Sequence, residues 1–455
     1  MDKVESKILN LFDNALKKYS SKGIDHLFLS ALLREKRGLS LFKGQVDSVE
    51  IADEIKIGVW LCVKGRWGNS IFENATPESL DRAIDQAIQA STYNDTDTAY
   101  SLAPDSKIKT TYESDTNITT LSMKTMEDQA RQMEKMALSF SPLVKNVPDV
   151  GLGYDLITRV VTNSNGARVV EKNGMLKAGI SVMAAGSDER MVNVHEMEYW
   201  LKKKDFQPNH LVREVAQEVI SRVSPRTVST GKYPVIFDPR SSAHLLSSFV
   251  GIFSGDALDR KLTKLEGKLG QEIASKKISL FETGKIGLVP HAFDAEGSPV
   301  QNKFLIQDGI FKTFLHNRYT AKKAGTQTTG NAAGGIEEAP GISPMNLSWE
   351  SGSGKTLSSK DLLKLPKQAI LVREMAGASA SAISGDFSYG VLGYWIENGE
   401  IRYPVADFTI AGNFFQLLKN IEAVGQDLRW FSPHLLGSTG GRSLLVSQLA
   451  VSGKY

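Results

Sequence analysis

One cysteine in 455 residues excludes an internal disulfide framework, and Cys62 lies in the apolar run Gly58-Val59-Trp60-Leu61-Cys62-Val63, the setting of a core thiol. Charge of one sign is also missing. The 54 basic and 51 acidic residues leave a formal charge of +3, so no field favours duplex nucleic acid, and the Lys202-Lys203-Lys204 run reads as a solvated face. No stretch reaches the ~20 apolar residues of a membrane span. Asp2, Lys3, Glu5 and Lys7 precede any long apolar run, the wrong pattern for a secretory leader, and a soluble cytoplasmic protein is expected. Histidine is scarce, at seven residues. His195-Glu196 resembles half of a zinc motif, but Tyr199 stands where the second histidine is needed, and the alternation of Val192, Val194 and Met197 indicates a strand.

Composition is otherwise ordinary, with 41% apolar and 23% charged residues, and the length predicts about three domains. The fold class expected is α+β. An N-terminal α/β unit (1–93) opens with an amphipathic helix on Val4, Ile8, Leu11, Phe12, Ala15, Leu16 and Tyr19. Strands follow between His26 and Phe72 with turns at Lys43-Gly44 and Lys64-Gly65, and Thr76-Pro77-Glu78 starts a second helix. Residues 94–120 lack periodicity and read as a linker. A middle α+β unit (121–225) begins with the stripe Met126, Ala130, Met133 and Ala137, continues as a meander from Val150 to Trp200 with hairpin turns at Asn165-Gly166 and Asn173-Gly174, and closes with a helix over Leu211 to Ile220. The remainder (226–455) is a large, mostly antiparallel β domain with hairpins at Asp308-Gly309 and Asn398-Gly399.

That last domain is organised around Val235 to Lys261. Strand Val235-Ile236-Phe237 leads to Asp238, an N-cap, and Pro239, a first helical residue. Leu245, Leu246, Phe249, Val250, Ile252 and Phe253 make the helix apolar over most of its girth and therefore central, with Gly255 as its expected stop. A peptidase would carry paired histidines and a glutamate on such a helix. Here His244 stands alone, as in a surface or capping role.

Other motifs fail on inspection. Ser351-Gly352-Ser353-Gly354-Lys355-Thr356 resembles a phosphate loop, but Trp349 occupies the position that needs glycine, which leaves a flexible Gly/Ser loop. Asp294, Glu296 and Asp308 are the carboxylates considered for acid-base work; two acids in the turn-like segment 293–299 favour loop ordering through backbone amides. No Gly-x-Ser-x-Gly elbow supports a serine hydrolase. The Gly-rich segments 328–335 and 376–379 allow close backbone approach, consistent with peptide docking along a strand edge.

Taken together, Phe293-Asp294-Ala295-Glu296-Gly297-Ser298-Pro299-Val300-Gln301, Thr329-Gly330-Asn331, Ser384-Gly385-Asp386-Phe387-Ser388, Trp395 to Glu400, Pro404, Thr409-Ile410-Ala411-Gly412-Asn413 and Val424-Gly425-Gln426-Asp427-Leu428 resemble the TldD/PmbA family. The match is densest in the carboxyl-terminal half. The resemblance implies one of two sister types: a zinc-bearing TldD chain, or a TldE/PmbA chain that joins it in a heterodimeric metallopeptidase acting on unfolded peptides. PmbA relatives are also described as modulators of DNA gyrase and as factors in microcin maturation.

Aligned on Gly255-Asp256 and Arg260-Lys261, the family's His-Glu-x-x-x-His falls on Ser247, Ser248 and Ile252, and its cysteine ligand falls on Thr439. Two hydroxyls and an alkyl group are not a zinc set, and the glutamate is missing. The resemblance is therefore to the zinc-less member, and it implies no catalytic residue and no cofactor in this chain. Zinc is expected in a TldD-like partner, and the pair would enclose a cleft for an extended peptide. Asn331, Glu374, Ser384, Gly385 and Asp386 are its candidate lining. The alternatives are a homodimeric regulatory protein acting on gyrase or a toxin-antitoxin pair, and a metal-free hydrolase using Asp294 and Glu296.

Overall fold

The computed structural model describes residues 2–104, 115–434 and 437–453. Its first half is one antiparallel sheet of β1 (His26–Phe42), β2 (Gln45–Val63), β3 (Arg66–Phe72), β4 (Val144–Asn163), β5 (Arg168–Ala185) and β6 (Met191–Trp200), in the order β3-β2-β1-β4-β5-β6. Strands from segments 1–93 and 121–225 thus share a sheet, joined where β1 pairs with β4 from Phe28–Asn163 to Leu41–Val150. Successive side chains of a strand point to opposite faces. Along β1, Leu27, Leu29, Ala31 and Leu33 pack against helices α1 (Asp2–Tyr19) and α2 (Pro77–Ser91). Leu39 and Leu41 face α3 (Met123–Leu138) and α4 (Pro208–Ser221). Phe28 lies on the other face, where Cys62, Trp67 and Phe293 join it.

Turn chemistry accounts for most of the register. Lys43-Gly44, Lys64-Gly65, Asp308-Gly309 and Asn398-Gly399 all adopt positive φ at both positions, as tight hairpins require. Asn173-Gly174 does not turn. It lies inside β5, opposite Ile157 and Leu156, and the Asn173 side-chain amide donates to the Glu171 carboxylate (3.2 Å) and the Pro290 carbonyl (2.9 Å). Tertiary hydrogen bonds override the local preference there. The linker expected over 94–120 falls partly on 105–114, which lie outside the described residues.

In the carboxyl-terminal half, β7 (Gly231–Phe237) lies between strand Gln368–Ala380, which runs parallel to it, and antiparallel strand Leu444–Ser452. Strands Asp386–Glu397 and Glu400–Asn413 continue from Gln368–Ala380, and Glu400–Asn413 pairs back onto Leu444–Ser452 at Thr409–Ser452. These five strands form a closed ring. A second sheet is built on Ile278–Thr283 and Asn346–Ser351, with the glycine-rich strand Gly437–Gly441 parallel to the latter.

Helix α5 (Pro239–Phe249) sits between ring and second sheet, touching strands Gln368–Ala380 and Gly437–Gly441. The Asp238 side chain caps it by accepting the Ser241 N–H at 2.8 Å. Leu245, Leu246 and Phe249 are fully buried, and Phe249 stacks on Phe414 at 4.4 Å. Gly441 explains how close the strand comes: a Cβ there would lie 1.6 Å from the Pro239 carbonyl oxygen. The helix does not run to Gly255. It gives way to a 3-10 turn over Val250–Phe253, and Gly255 starts a new short helix capped by Ser254. Glycine is needed because a Cβ would meet the His316 ring at 2.3 Å.

A cluster of charges fastens α4 to the ring. The Arg373 guanidinium donates to both Glu218 oxygens (3.2 and 2.8 Å) and to Asp238 (3.0 Å). Arg222 bridges Glu218 (2.9 Å) and Glu374 (2.7 Å). Burial raises the Glu218 carboxyl, but the two guanidiniums outweigh it and hold the group at about 2. Its stabilising contribution is complete above the ordinary glutamate range and fades as pH falls toward 2. Glu218→Gln should cost on the order of 3 kcal/mol at pH 7, with the gap to the parent narrowing between pH 4.5 and 2 in denaturant titrations. A pH-independent gap would contradict this account.

Candidate functional site

The positions that the resemblance places at a zinc site do meet in space. Ser247 lies on the last turn of α5 and Thr439 in the middle of strand Gly437–Gly441. Their hydroxyls share a hydrogen bond of 3.1 Å across 192 residues of chain. Thr439 is held by pairing with Leu347 on one side and Phe431 on the other, and it is buried. Ser248, one residue on, donates back to the His244 carbonyl at 3.0 Å, as helical serines do. Ile252 is in the 3-10 turn with its side chain in the main core. Two hydroxyls and a buried alkyl group do not fit zinc, which takes imidazole, thiolate or carboxylate. Among the described residues no group of three His, Cys, Asp or Glu side chains is arranged to hold a metal ion.

Tyr389 and Arg240, beside these positions, were not singled out from sequence. The Tyr389 ring meets the His244 ring edge-on at 5.7 Å. Burial raises the Tyr389 phenol and lowers the His244 imidazole, so both favour their neutral forms. At the start of the helix Arg240 pairs with Glu196, the glutamate of the half-motif, and lies over the Phe431 ring at 5.6 Å. Burial and then the neighbouring Arg429 bring the Arg240 guanidinium down to about 10. His195-Glu196 is on β6, as its alternation indicated.

The five cleft candidates lie in three separate hydrogen-bond networks. Asn331 is fully buried: its amide donates to Glu282 (2.6 Å) and the Ser343 carbonyl (3.1 Å), and its oxygen accepts from Thr329 (2.7 Å). Glu374 accepts from Arg222 and lines an open recess with Arg190, Gly390 and Asp407. Ser384, Gly385 and Asp386 form a surface turn, where the Ser384 carbonyl accepts from Lys264 (2.8 Å) and Asn413 (2.9 Å) and the Asp386 carboxylate accepts from Asn413 (2.8 Å).

The carboxylates of the 293–299 turn have distinct roles. Asp294 accepts the backbone N–H groups of Glu296 (3.0 Å), Ser298 (2.9 Å) and Ala332 (3.0 Å), which orders the loop. Among the described residues, Glu296 accepts the Arg318 N–H, at 2.9 Å. Burial raises both, Asp294 to about 6 against the pull of its amide donors, and Glu296 to about 8, where the Asp294 charge adds to burial. Asp308 is a hairpin residue whose backbone N–H donates to Ser279 at 2.9 Å.

A carboxyl group that titrates higher in the folded chain than in the unfolded one holds an extra proton in between. Rising pH therefore costs stability through that window. The thermal midpoint of the parent should fall relative to that of Glu296→Gln between pH 5 and 8; a constant difference would contradict the assignment.

Three family models match the chain: PmbA/TldA metallopeptidase domain 1 over residues 34–91, the central domain over 96–223 and the C-terminal domain over 230–453. Metalloprotease PmbA of Escherichia coli O157:H7 is 28% identical over 421 residues, covering 90% of this chain and 88% of that one. A metalloprotease PmbA homolog from Buchnera aphidicola subsp. Acyrthosiphon pisum is 27% identical over 99% of this chain and 98% of its own. Among solved structures, a Thermotoga maritima protein described as a modulator of a DNA gyrase superposes with a TM-score of 0.88 at 28% identity, covering 97% of this chain and 99% of that one. TldE from Thermococcus kodakarensis shares the fold, with a TM-score of 0.89 at 23% identity over 97% of this chain and 100% of its own. Matched in sequence by all three domain models and in fold over nearly its whole length, the chain belongs to the PmbA/TldD metallopeptidase family.

Proposed function

We propose that this chain is the non-catalytic, TldE-type subunit of a heterodimeric metallopeptidase, paired with a zinc-bearing TldD-like sister and helping to enclose a cleft for unfolded peptides. The observation that carries this reading is the Ser247–Thr439 hydrogen bond. Helix and strand are brought together as a ligand pair would require, yet the atoms that meet are neutral hydroxyls, which bind zinc too weakly to hold it against water. The buried Ile252 supplies no third donor. A closed cleft of this kind admits extended chains and excludes folded domains, since only an unstructured segment can offer its backbone to a strand edge.

The second reading, a homodimeric regulator without proteolysis, is favoured by the similarity to the protein described as a modulator of a DNA gyrase. Co-purification separates the two, because a sister chain carrying His-Glu-x-x-x-His should accompany this one under the first reading and not under the second. Elemental analysis of the isolated chain should give far less than one zinc per subunit, and an unstructured peptide should stay intact until the sister chain is added. One zinc per isolated subunit, or turnover without the sister, would defeat the proposal.

A further inference from the structure

The first sheet ends on one side in a strand that is only partly covered. β3 pairs with β2 from Ile57–Phe72 to Val63–Arg66, and the chain then leaves the sheet for α2. From Gln45 to Lys56, β2 is therefore paired with β1, and among the described residues no strand lies along its outer side. Such an edge runs roughly 40 Å, with alternate residues turning their amide and carbonyl groups outward.

Natural edges are kept from pairing by proline, lysine or bulges. This one has no proline, and its lysine, Lys56, is taken by Glu337 at 2.6 Å. Its bulge is confined to the tip, where Asp47 is the extra residue between the Leu41–Val46 and Ser40–Ser48 pairs. The tip itself is anchored, since the Gly44 N–H donates to Glu134 of α3 at 2.8 Å and the Gly44 carbonyl accepts from Arg131. The edge is thus held in place at both ends and left open between them.

Its two faces differ in chemistry. Cross-strand partners share a face, so Val46, Val49 and Ile51, opposite Leu41, Leu39 and Arg37, lie on the side of the helices. All three are exposed, Ile51 by 64%. The opposite face carries Ser48, Glu50, Ala52 and Glu54. Glu50 is paired with Lys36, and Asp53 with Arg37 at 2.9 Å. Arg34, opposite Glu54, is turned to Asp155 at 3.1 Å. Asp47 and Glu54 are both exposed and have no ion pair among the described residues. A second copy, paired antiparallel across a two-fold axis, would lay Glu50 and Glu54 beside the same acids on the same face, which is unfavourable. A strand that is apolar on one side and basic on the other meets both faces.

We propose that β2 between Gln45 and Lys56 is a docking edge for an extended segment of a different polypeptide. In that segment apolar residues, laid against Val46, Val49 and Ile51, alternate with lysine or arginine laid against Glu50 and Glu54. Backbone pairing supplies the affinity, and the alternation selects the partner. The inference stands apart from the heterodimer reading, because the edge and its charges belong to this chain and binding is measured on it alone.

Fluorescence anisotropy of the full chain tests this with a capped peptide of alternating lysine and valine, about as long as the open edge. Saturable binding is expected, about tenfold tighter than for the glutamate-valine counterpart and weakening with added salt. Asp47→Lys and Glu54→Lys combined should reverse the order of the two peptides. Ile51→Thr, which keeps a β-branched side chain, should weaken the lysine peptide several-fold with the order kept. Hydrogen exchange should show slowed amides between Gln45 and Lys56 when the lysine peptide is bound. No saturable binding, equal binding of the two peptides, an unchanged order in the double variant, or protection placed elsewhere would overturn the assignment. A parent chain that self-associates in sedimentation with those same amides protected would give the edge to a second copy and overturn it as well.

Discussion

The guanidinium of Arg373 is the joint on which the two halves of the molecule turn. It reaches Glu218 on α4 with two donors and Asp238, the cap of α5, with a third. The Asp238 carboxylate therefore holds the first turn of the central helix and the strand beside it at once. Burying two carboxyl groups beside a half-buried guanidinium is unfavourable unless each is satisfied, and here each is. Arg222, with its own fork to Glu218 and Glu374, doubles the connection. The position of α5, and with it that of Ser247, follows from this charged clasp on one side and from the close approach of Gly441 on the other.

Much of this was legible because it is local. The Asp238-Pro239 start of α5, the Thr76 cap of α2, the methionine stripe of α3 and the positive-φ hairpins all depend on residues within a few positions of one another. Asn173-Gly174 and Gly255 misled for the opposite reason. Their roles are set by Glu171, Pro290 and His316, which are distant in sequence and near in space. The Arg373 clasp spans more than 130 residues and has no periodic signature.

The candidate site divides in the same way. The juxtaposition of Ser247 with Thr439 could be anticipated only through likeness to a family, because nothing in either local sequence points to the other. The aromatic cluster on the face of the first sheet away from its helices, where Trp60 lies 6.4 Å from Trp67, was partly readable. With Lys64-Gly65 as the turn, Cys62 faces Trp67 and Trp60 lies two residues back on the same side, so the two indoles share a face of the β2–β3 hairpin. What sequence could not supply was Glu296, delivered to that face from a loop more than 200 residues further on.

The first sheet carries a further consequence. Because β1 and β4 are hydrogen-bonded along most of their length, the amino-terminal strands cannot be trimmed away as an independent module. Cutting the chain between them would leave β4 with a long row of bare amide and carbonyl groups, an open template for another strand. A form of this protein shortened by those strands should therefore tend to self-associate through that edge, whatever its native assembly.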